Sequence, residues 1–189
     1  MIYEINITYK CNWKCSYCSM KDRLFKSINE DEVLSLISSL PNGSCLTLSG
    51  GEPGLCRKEY ISKLLNTARK KGLRLTLNTN GTFLKRHKEF VNEFEKINLH
   101  LDISKSYNIE KNKKINYVVI LTSSNLNDVI NFVKQYDIKF DIIPSSHFDF
   151  RETENTVFKF PLSKLEKFMT PKSIFYVKTS LRYNVRYLN

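Results

Sequence analysis

Ile5-Asn6-Ile7-Thr8-Tyr9-Lys10-Cys11-Asn12-Trp13-Lys14-Cys15-Ser16-Tyr17-Cys18 joins two patterns in one stretch. Ile5 to Thr8 alternates apolar and polar side chains, the period of a strand with one face buried. The cysteines that follow, spaced CxxxCxxC, then fall on the loop at that strand's C-terminal end. The chain has five cysteines, an odd number, and three of them lie in this loop. That does not suit a secreted disulfide framework; it suits metal ligands in a reducing compartment.

Outward from this loop the chain alternates strand and helix. Asn29, with Glu32 three residues on, predicts a capped helix whose apolar face is Val33, Leu34, Leu36, Ile37 and Leu40, stopped at Pro41-Asn42-Gly43. Cys45 to Leu48 is a second strand leading into Ser49-Gly50-Gly51-Glu52-Pro53. Tyr60, Ile61, Leu64, Leu65 and Ala68 repeat at helical spacing, with Lys70, Lys71 and then Gly72 closing the helix. Leu73 to Leu77 is a third strand, ending in the turn Asn78-Thr79-Asn80-Gly81. A helix over Phe83–Glu95 follows, then strands over Ile97–Ile103 and Ile115–Leu121, a helix over Leu126–Tyr136 and a sixth strand over Ile138–Ile143.

Strand–helix–strand alternation at these lengths predicts parallel pairing through right-handed crossovers. The expected fold is therefore α/β. Six strands are too few to close an eight-stranded barrel, so we expect a partial (βα)6 TIM-like barrel, a mostly parallel curved sheet. The cysteine loop, the glycine loop and the Asn-Gly turn each end a strand and should converge on one mouth.

One domain is expected over 1–189, with a barrel core over 1–145 and a C-terminal extension over 146–189. In that extension Ser163 and Glu166 form a capping box, and Ile174–Val177 and Leu181–Tyr187 read as short strands. The 189 residues are 41% hydrophobic and 26% charged, an ordinary globular balance. No apolar run reaches the length of a membrane helix and no signal core opens the chain, so a soluble cytoplasmic protein without a membrane partner is expected.

The net charge is +11 and the pI about 9.4. That charge fits an anionic partner, and equally a chain rich in lysine throughout. Between Val157 and Asn189 seven basic residues stand against one acid, interleaved with Phe158, Phe160, Phe175, Tyr176, Tyr183 and Tyr187. Such a segment can stack on bases, or cover the open barrel edge with its lysines in water.

Three thiolates on a tight loop can ligate three irons of a cubane whose usual complement is four cysteines, leaving one iron open. The same spacing can be part of a zinc site, with Cys45, Cys56, His87, His100 or His147 as the fourth ligand. Lys105, just past strand four, could meet a carboxylate or phosphate.

The CxxxCxxC spacing with Tyr17 before its last cysteine, together with Ser49-Gly50-Gly51-Glu52-Pro53, resembles the signature of the radical S-adenosylmethionine (radical SAM) superfamily. The strand order carries the resemblance over about 1–145. It implies that Cys11, Cys15 and Cys18 hold a [4Fe-4S] cluster whose open iron takes the amino and carboxylate groups of S-adenosylmethionine. Glu52 and the Gly50-Gly51 backbone, in the motif that Pro53 completes, would face the amino group. The two glycines would let the backbone approach that ligand with no Cβ in the way. The Tyr17 backbone and Ile143-Pro144 would lie near the adenine, and Asn78, Asp102 or Ser104 near the ribose hydroxyls or the methionine carboxylate.

The implied chemistry is one-electron reductive cleavage of the cofactor and hydrogen abstraction by a 5′-deoxyadenosyl radical. An electron donor such as flavodoxin or ferredoxin would be its partner. The expected substrate is a nucleotide, a nucleic acid or a peptide. Thr79-Asn80-Gly81-Thr82 is similar to a turn of 7-carboxy-7-deazaguanine synthases, while the glutamine-glycine-glutamate-glycine segment expected before their cysteines does not precede Cys11. The competing expectation is a non-catalytic, basic nucleic-acid-binding module stapled by zinc or a closed iron-sulfur site.

Overall fold

Which layer each element joins follows from the two-residue period of its strands. In the computed structural model, which describes residues 1–18, 20, 26–109, 111–122, 125–144 and 165–171, the strands are β1 (Ile2–Thr8), β2 (Cys45–Gly50), β3 (Arg74–Thr79), β4 (Lys96–Leu101), β5 (Ile115–Leu121) and β6 (Asp141–Pro144). The helices are α1 (Glu30–Ser39), α2 (Lys58–Lys70), α3 (Thr82–Arg86) and α4 (Leu126–Val133). The strands form one open sheet in chain order, and the pairs β1 with β2, β2 with β3, β3 with β4, and β5 with β6 are parallel. The α/β expectation of six parallel strands is met.

The described residues divide into two compact units. One comprises Met1–His100 with Lys113–Asn116; the other takes Leu101–Asn112 and the described residues from Tyr117 on. In the first, Ile5, Ile7, Leu46, Leu48, Leu75, Leu77 and Ile97 bury one face of the sheet against Val33, Ile37 and Leu40 around α1 and Ile61, Leu64, Leu65 and Ala68 of α2. Registers Ile5↔Leu48, Leu46↔Leu75 and Leu77↔Ile97 align these side chains across strands. Their alternates, Glu4, Asn6, Thr47, Ser49, Thr76, Asn78 and Asn98, therefore share the opposite face.

The Asn29 cap forms as expected: its Oδ1 accepts from the N–H groups of Asp31 and Glu32, and its amide donates to Glu32. Leu36, placed on the apolar face from sequence, is 50% exposed. The buried stripe runs through positions 33, 37 and 40, and position 36 points away from it.

The helix expected over Phe83–Glu95 is interrupted. α3 ends at Arg86, His87 leaves helical geometry at φ −130 and ψ 45, and a 3-10 turn covers Lys88–Glu93. The imidazole of buried His87 sits 3.2 Å from the Cys56 carbonyl, and the break lets Phe94 pack edge-on against Phe83 at 5.5 Å.

In the second unit, α4 ends at Val133 rather than Tyr136, and β6 begins at Asp141 rather than Ile138. Phe140 instead pairs with Met169 in an isolated parallel bridge, and Leu165 and Met169 are buried. Ser163, the two expected terminal strands and most of the basic aromatic segment lie outside the described residues. No helix among the described residues is long and apolar enough to cross a membrane.

Candidate active site

Three strand ends of the first unit are bonded to one another. β1 runs into the cysteine loop, where Lys10, Asn12, Lys14 and Ser16 are exposed and Cys11, Trp13, Cys15, Tyr17 and Cys18 are half-buried. β2 runs into the glycine bend. The Gly51 N–H donates to the Thr8 carbonyl and the Glu52 N–H to the Lys10 carbonyl, each at 2.7 Å, so the bend lies flat on the start of the cysteine loop. β3 runs into Thr79–Thr82. The Asn80 amide donates to Asn12 Oδ1 at 2.9 Å and the Asn12 amide to Thr82 Oγ1 at 3.0 Å. The convergence expected of these loops is thus made by named bonds.

The glycines are needed for a close approach of the chain to itself. A Cβ on Gly50, at φ +119, would stand 2.2 Å from the Thr8 carbonyl oxygen, and one on Gly51 would stand 2.2 Å from that of Lys10. Gly54 is equally closed in, its Cβ position lying 2.3 Å from the Phe83 nitrogen. What comes close here is the chain's own backbone, and the missing side chains allow the cysteine loop to dock.

Glu52, expected to face a ligand ammonium, is 0% exposed, and its carboxylate accepts four hydrogen bonds from the chain. Oε1 accepts from Thr79 Oγ1 at 2.7 Å, the Gly54 N–H at 2.8 Å and the Phe83 N–H at 3.2 Å. Oε2 accepts from the Asn80 N–H at 2.7 Å. Glu52 caps the 3-10 turn of Pro53–Leu55, with Pro53 in the opening position that needs no N–H, and ties that turn to β3. Through Asn80 it also steadies Asn12 in the cysteine loop.

Among the cysteines, burial pushes the Cys11 thiol up, the Trp13 N–H at 3.4 Å from its sulfur pulls it down, and Glu52, Cys15 and Cys18 push it up further. An N–H donated to sulfur is a recurrent way of tuning cluster thiolates. The other sequence candidates are engaged elsewhere. Cys45 Sγ receives Arg74 Nη2 at 2.7 Å, and burial pushes the Cys56 thiol up to about 11. Neither these two nor His87 joins the three loop cysteines, and among the described residues no three His, Cys, Asp or Glu side chains gather around a single-ion site. His147 lies outside the described residues.

Asn78 sits one residue from the end of β3 with both amide hydrogens engaged, toward Glu4 Oε1 at 3.4 Å and Ser49 Oγ at 3.2 Å. Asp102, Ser104, Ile143 and Pro144 belong to the second unit. There Asp102 Oδ1 accepts from the Ser104 N–H and hydroxyl, at 3.1 and 2.7 Å, and Oδ2 pairs with Lys105 at 3.0 Å. Burial opposes ionisation of Asp102, and the bonds from Ser104 and Lys105 outweigh it, holding the carboxyl below its ordinary range. Lys105, a sequence candidate for a ligand anion, thus has an anion within its own chain. The parts that sequence reading did not single out are Asn12 and the donors on Glu52; the turn itself was legible in Gly81, at φ +95.

Comparison with known proteins places the fold. Residues 5–143 match the family model of the radical SAM superfamily. A protein of Methanocaldococcus jannaschii, provisionally named a glycyl-radical enzyme activating enzyme, is 31% identical over 138 residues, 71% of this chain and 51% of the relative. A GTP 3′,8-cyclase of Campylobacter fetus is 35% identical over 52% of this chain and 34% of its own length. The cysteine-type anaerobic sulfatase-maturating enzyme of Clostridium perfringens is 31% identical over 69% of this chain and 47% of its own length. The chain thus spans about half or less of these relatives. Solved structures of anSMEcpe with bound AdoMet share the fold, with a TM-score of 0.56 at 21% identity over 76% of this chain and 50% of theirs. The superfamily's enzymes work with a [4Fe-4S] cluster and S-adenosylmethionine, and in general require a reductant. On the match of its sequence through all six strands, the chain belongs to the radical SAM superfamily.

Proposed function

We propose that this chain is the cofactor-cleaving core of a radical SAM enzyme, with Cys11, Cys15 and Cys18 as the cluster ligands. The observation that supports the reading is the pair of 2.7 Å bonds that lay the glycine bend on the start of the cysteine loop. Bound there, the cluster and S-adenosylmethionine supply reductive cleavage of the sulfonium and a 5′-deoxyadenosyl radical that takes hydrogen from a substrate.

The chain's own residues position these groups. The three thiolates leave one coordination position to the cofactor, and the Trp13 N–H stabilises the Cys11 sulfur. The Gly50-Gly51 backbone faces the cofactor's amino group, and Glu52 holds that bend in place from behind. Tyr17 serves the adenine and Asn78 the ribose or carboxylate. Flavodoxin or ferredoxin supplies the electron in a reducing cytoplasm. Relatives named for a nucleotide and for a sulfatase support a nucleotide or a peptide as substrate.

The test is anaerobic reconstitution followed by metal and sulfide analysis and assay for 5′-deoxyadenosine. About four irons and four sulfides per chain, with cofactor cleavage under a low-potential reductant, are expected. One zinc per chain and no cleavage would favour the binding module.

A further inference from the structure

The sheet face opposite the helices carries a feature that extends beyond the proposed cofactor residues and shares only Asn78 with them. Five side chains from five strands form one hydrogen-bonded row across it. Asn116, at the start of β5, donates to Asn98 Oδ1 at 3.0 Å; Asn98 donates to Asn78 Oδ1 at 2.7 Å; Asn78 donates to Glu4 Oε1 at 3.4 Å and to Ser49 Oγ at 3.2 Å. All belong to the first unit. The row orients every amide in the same sense and ends on a carboxylate.

A core layer has no need of such a row. Valine or isoleucine at these positions would hold strands together with less desolvation. Three asparagines are instead held at fixed rotation, so their O and N positions are defined. An amide carries two N–H groups and two lone pairs, and the row uses one of each at Asn98. The remaining donor and acceptor are the pair that an amide uses to read a base edge. Two residues along β4 and on the same face, toward the end where the loops converge, lies half-buried His100. Its imidazole is pushed down by burial to about 4 and is neutral at physiological pH. A neutral imidazole is one of the rings on which bases stack.

We propose that this face binds the base of a nucleotide, read by Asn98 and Asn116 and stacked on His100, with the chain's +11 charge favouring the phosphates. The inference rests on the proposed function and narrows its substrate to a nucleotide. A peptide is the competing occupant, since its amide groups carry the same donor and acceptor.

The test measures equilibrium binding of GTP, ATP, CTP and UTP to the reconstituted protein with S-adenosylmethionine present, beside inorganic triphosphate and a neutral N-acetylated, C-amidated hexapeptide. At least one nucleotide should bind about tenfold or more tighter than triphosphate, a margin of the size one bidentate base contact supplies. Asn98→Ala and Asn116→Ala should each remove most of that margin and leave triphosphate binding as it was. Asn116 ends the row, so its truncation frees fewest partners and keeps the test usable if Asn98→Ala does not fold. Equal binding of triphosphate and all four nucleotides overturns the proposal, as does a nucleotide margin insensitive to both variants. Binding of the peptide alone, lost in the Asn98 variant, overturns it in favour of the other occupant. Cofactor cleavage by the wild-type protein, measured alongside, separates this failure from failure of the underlying reading.

Discussion

Replacing Glu52 by glutamine changes one functional group and should break one contact. The carboxamide oxygen can still accept from Thr79, Gly54 and Phe83, while an NH2 group replaces Oε2 and meets the Asn80 N–H, donor against donor, where a 2.7 Å bond stood. A hydrogen bond to a charged group contributes about 1.5–3 kcal/mol, and an unsatisfied buried donor adds its desolvation, so Glu52→Gln should cost about 2–4 kcal/mol. Glu52→Ala strands all four donors in a site of 0% exposure and should cost more, about 5 kcal/mol, at the far end of single-substitution effects. Against a typical net stability of about 5–15 kcal/mol, the alanine variant threatens folding and the glutamine variant does not. Urea unfolding of the metal-free chain, read at constant slope, gives both numbers. A Glu52→Gln variant within 0.5 kcal/mol of wild type, or an alanine variant more stable than the glutamine one, would refute the clamp.

Gly51→Ala should prevent cluster reconstitution or folding, because its Cβ would meet the Lys10 carbonyl, whereas Gly43→Ala, with open space and φ +72, should cost about 1–2 kcal/mol; iron content and unfolding midpoints read the contrast. Alanine at any one of Cys11, Cys15 or Cys18 should abolish cofactor cleavage, and full activity in Cys15→Ala would contradict the ligand set. Cys45→Ala should leave iron content unchanged. In cluster-free protein at pH 8, iodoacetamide should spare Cys56, whose thiol at about 11 is ionised to roughly one part in a thousand; mass spectrometry finding it modified as fast as Cys45 would count against its burial. His100 is pushed below its ordinary 6.5 to about 4, so the unfolded chain takes up its proton first as pH falls. Stability from this group is complete above about pH 6.5 and is lost toward pH 4, and wild type should lose about 1–3 kcal/mol more than His100→Gln over that interval.

The strand and helix order was legible because each element carries its own period. Tyr60 through Ala68 at helical spacing and the alternation into the cysteine loop need no long-range information. The Asn29 cap was readable because its partners lie two and three residues away. What was not legible depends on partners far along the chain. His87 breaks the third helix through a carbonyl 31 residues earlier, and Glu52 is held by Thr79 and Phe83, 27 and 31 residues later. The glycine motif was found, but its reason required the Thr8 and Lys10 carbonyls that the β1–β2 register brings against it. The asparagine row was invisible because Asn78, Asn98 and Asn116 read singly as strand polar positions; only their shared register makes them one feature.

The measurement that bears most directly on the central claim is low-temperature electron paramagnetic resonance of the reduced, reconstituted protein with and without S-adenosylmethionine. Three cysteine ligands and one open iron predict a spectrum that changes when the cofactor is added. A spectrum of a reduced [4Fe-4S] cluster that stays the same at saturating cofactor would show a closed coordination sphere and contradict the proposed site.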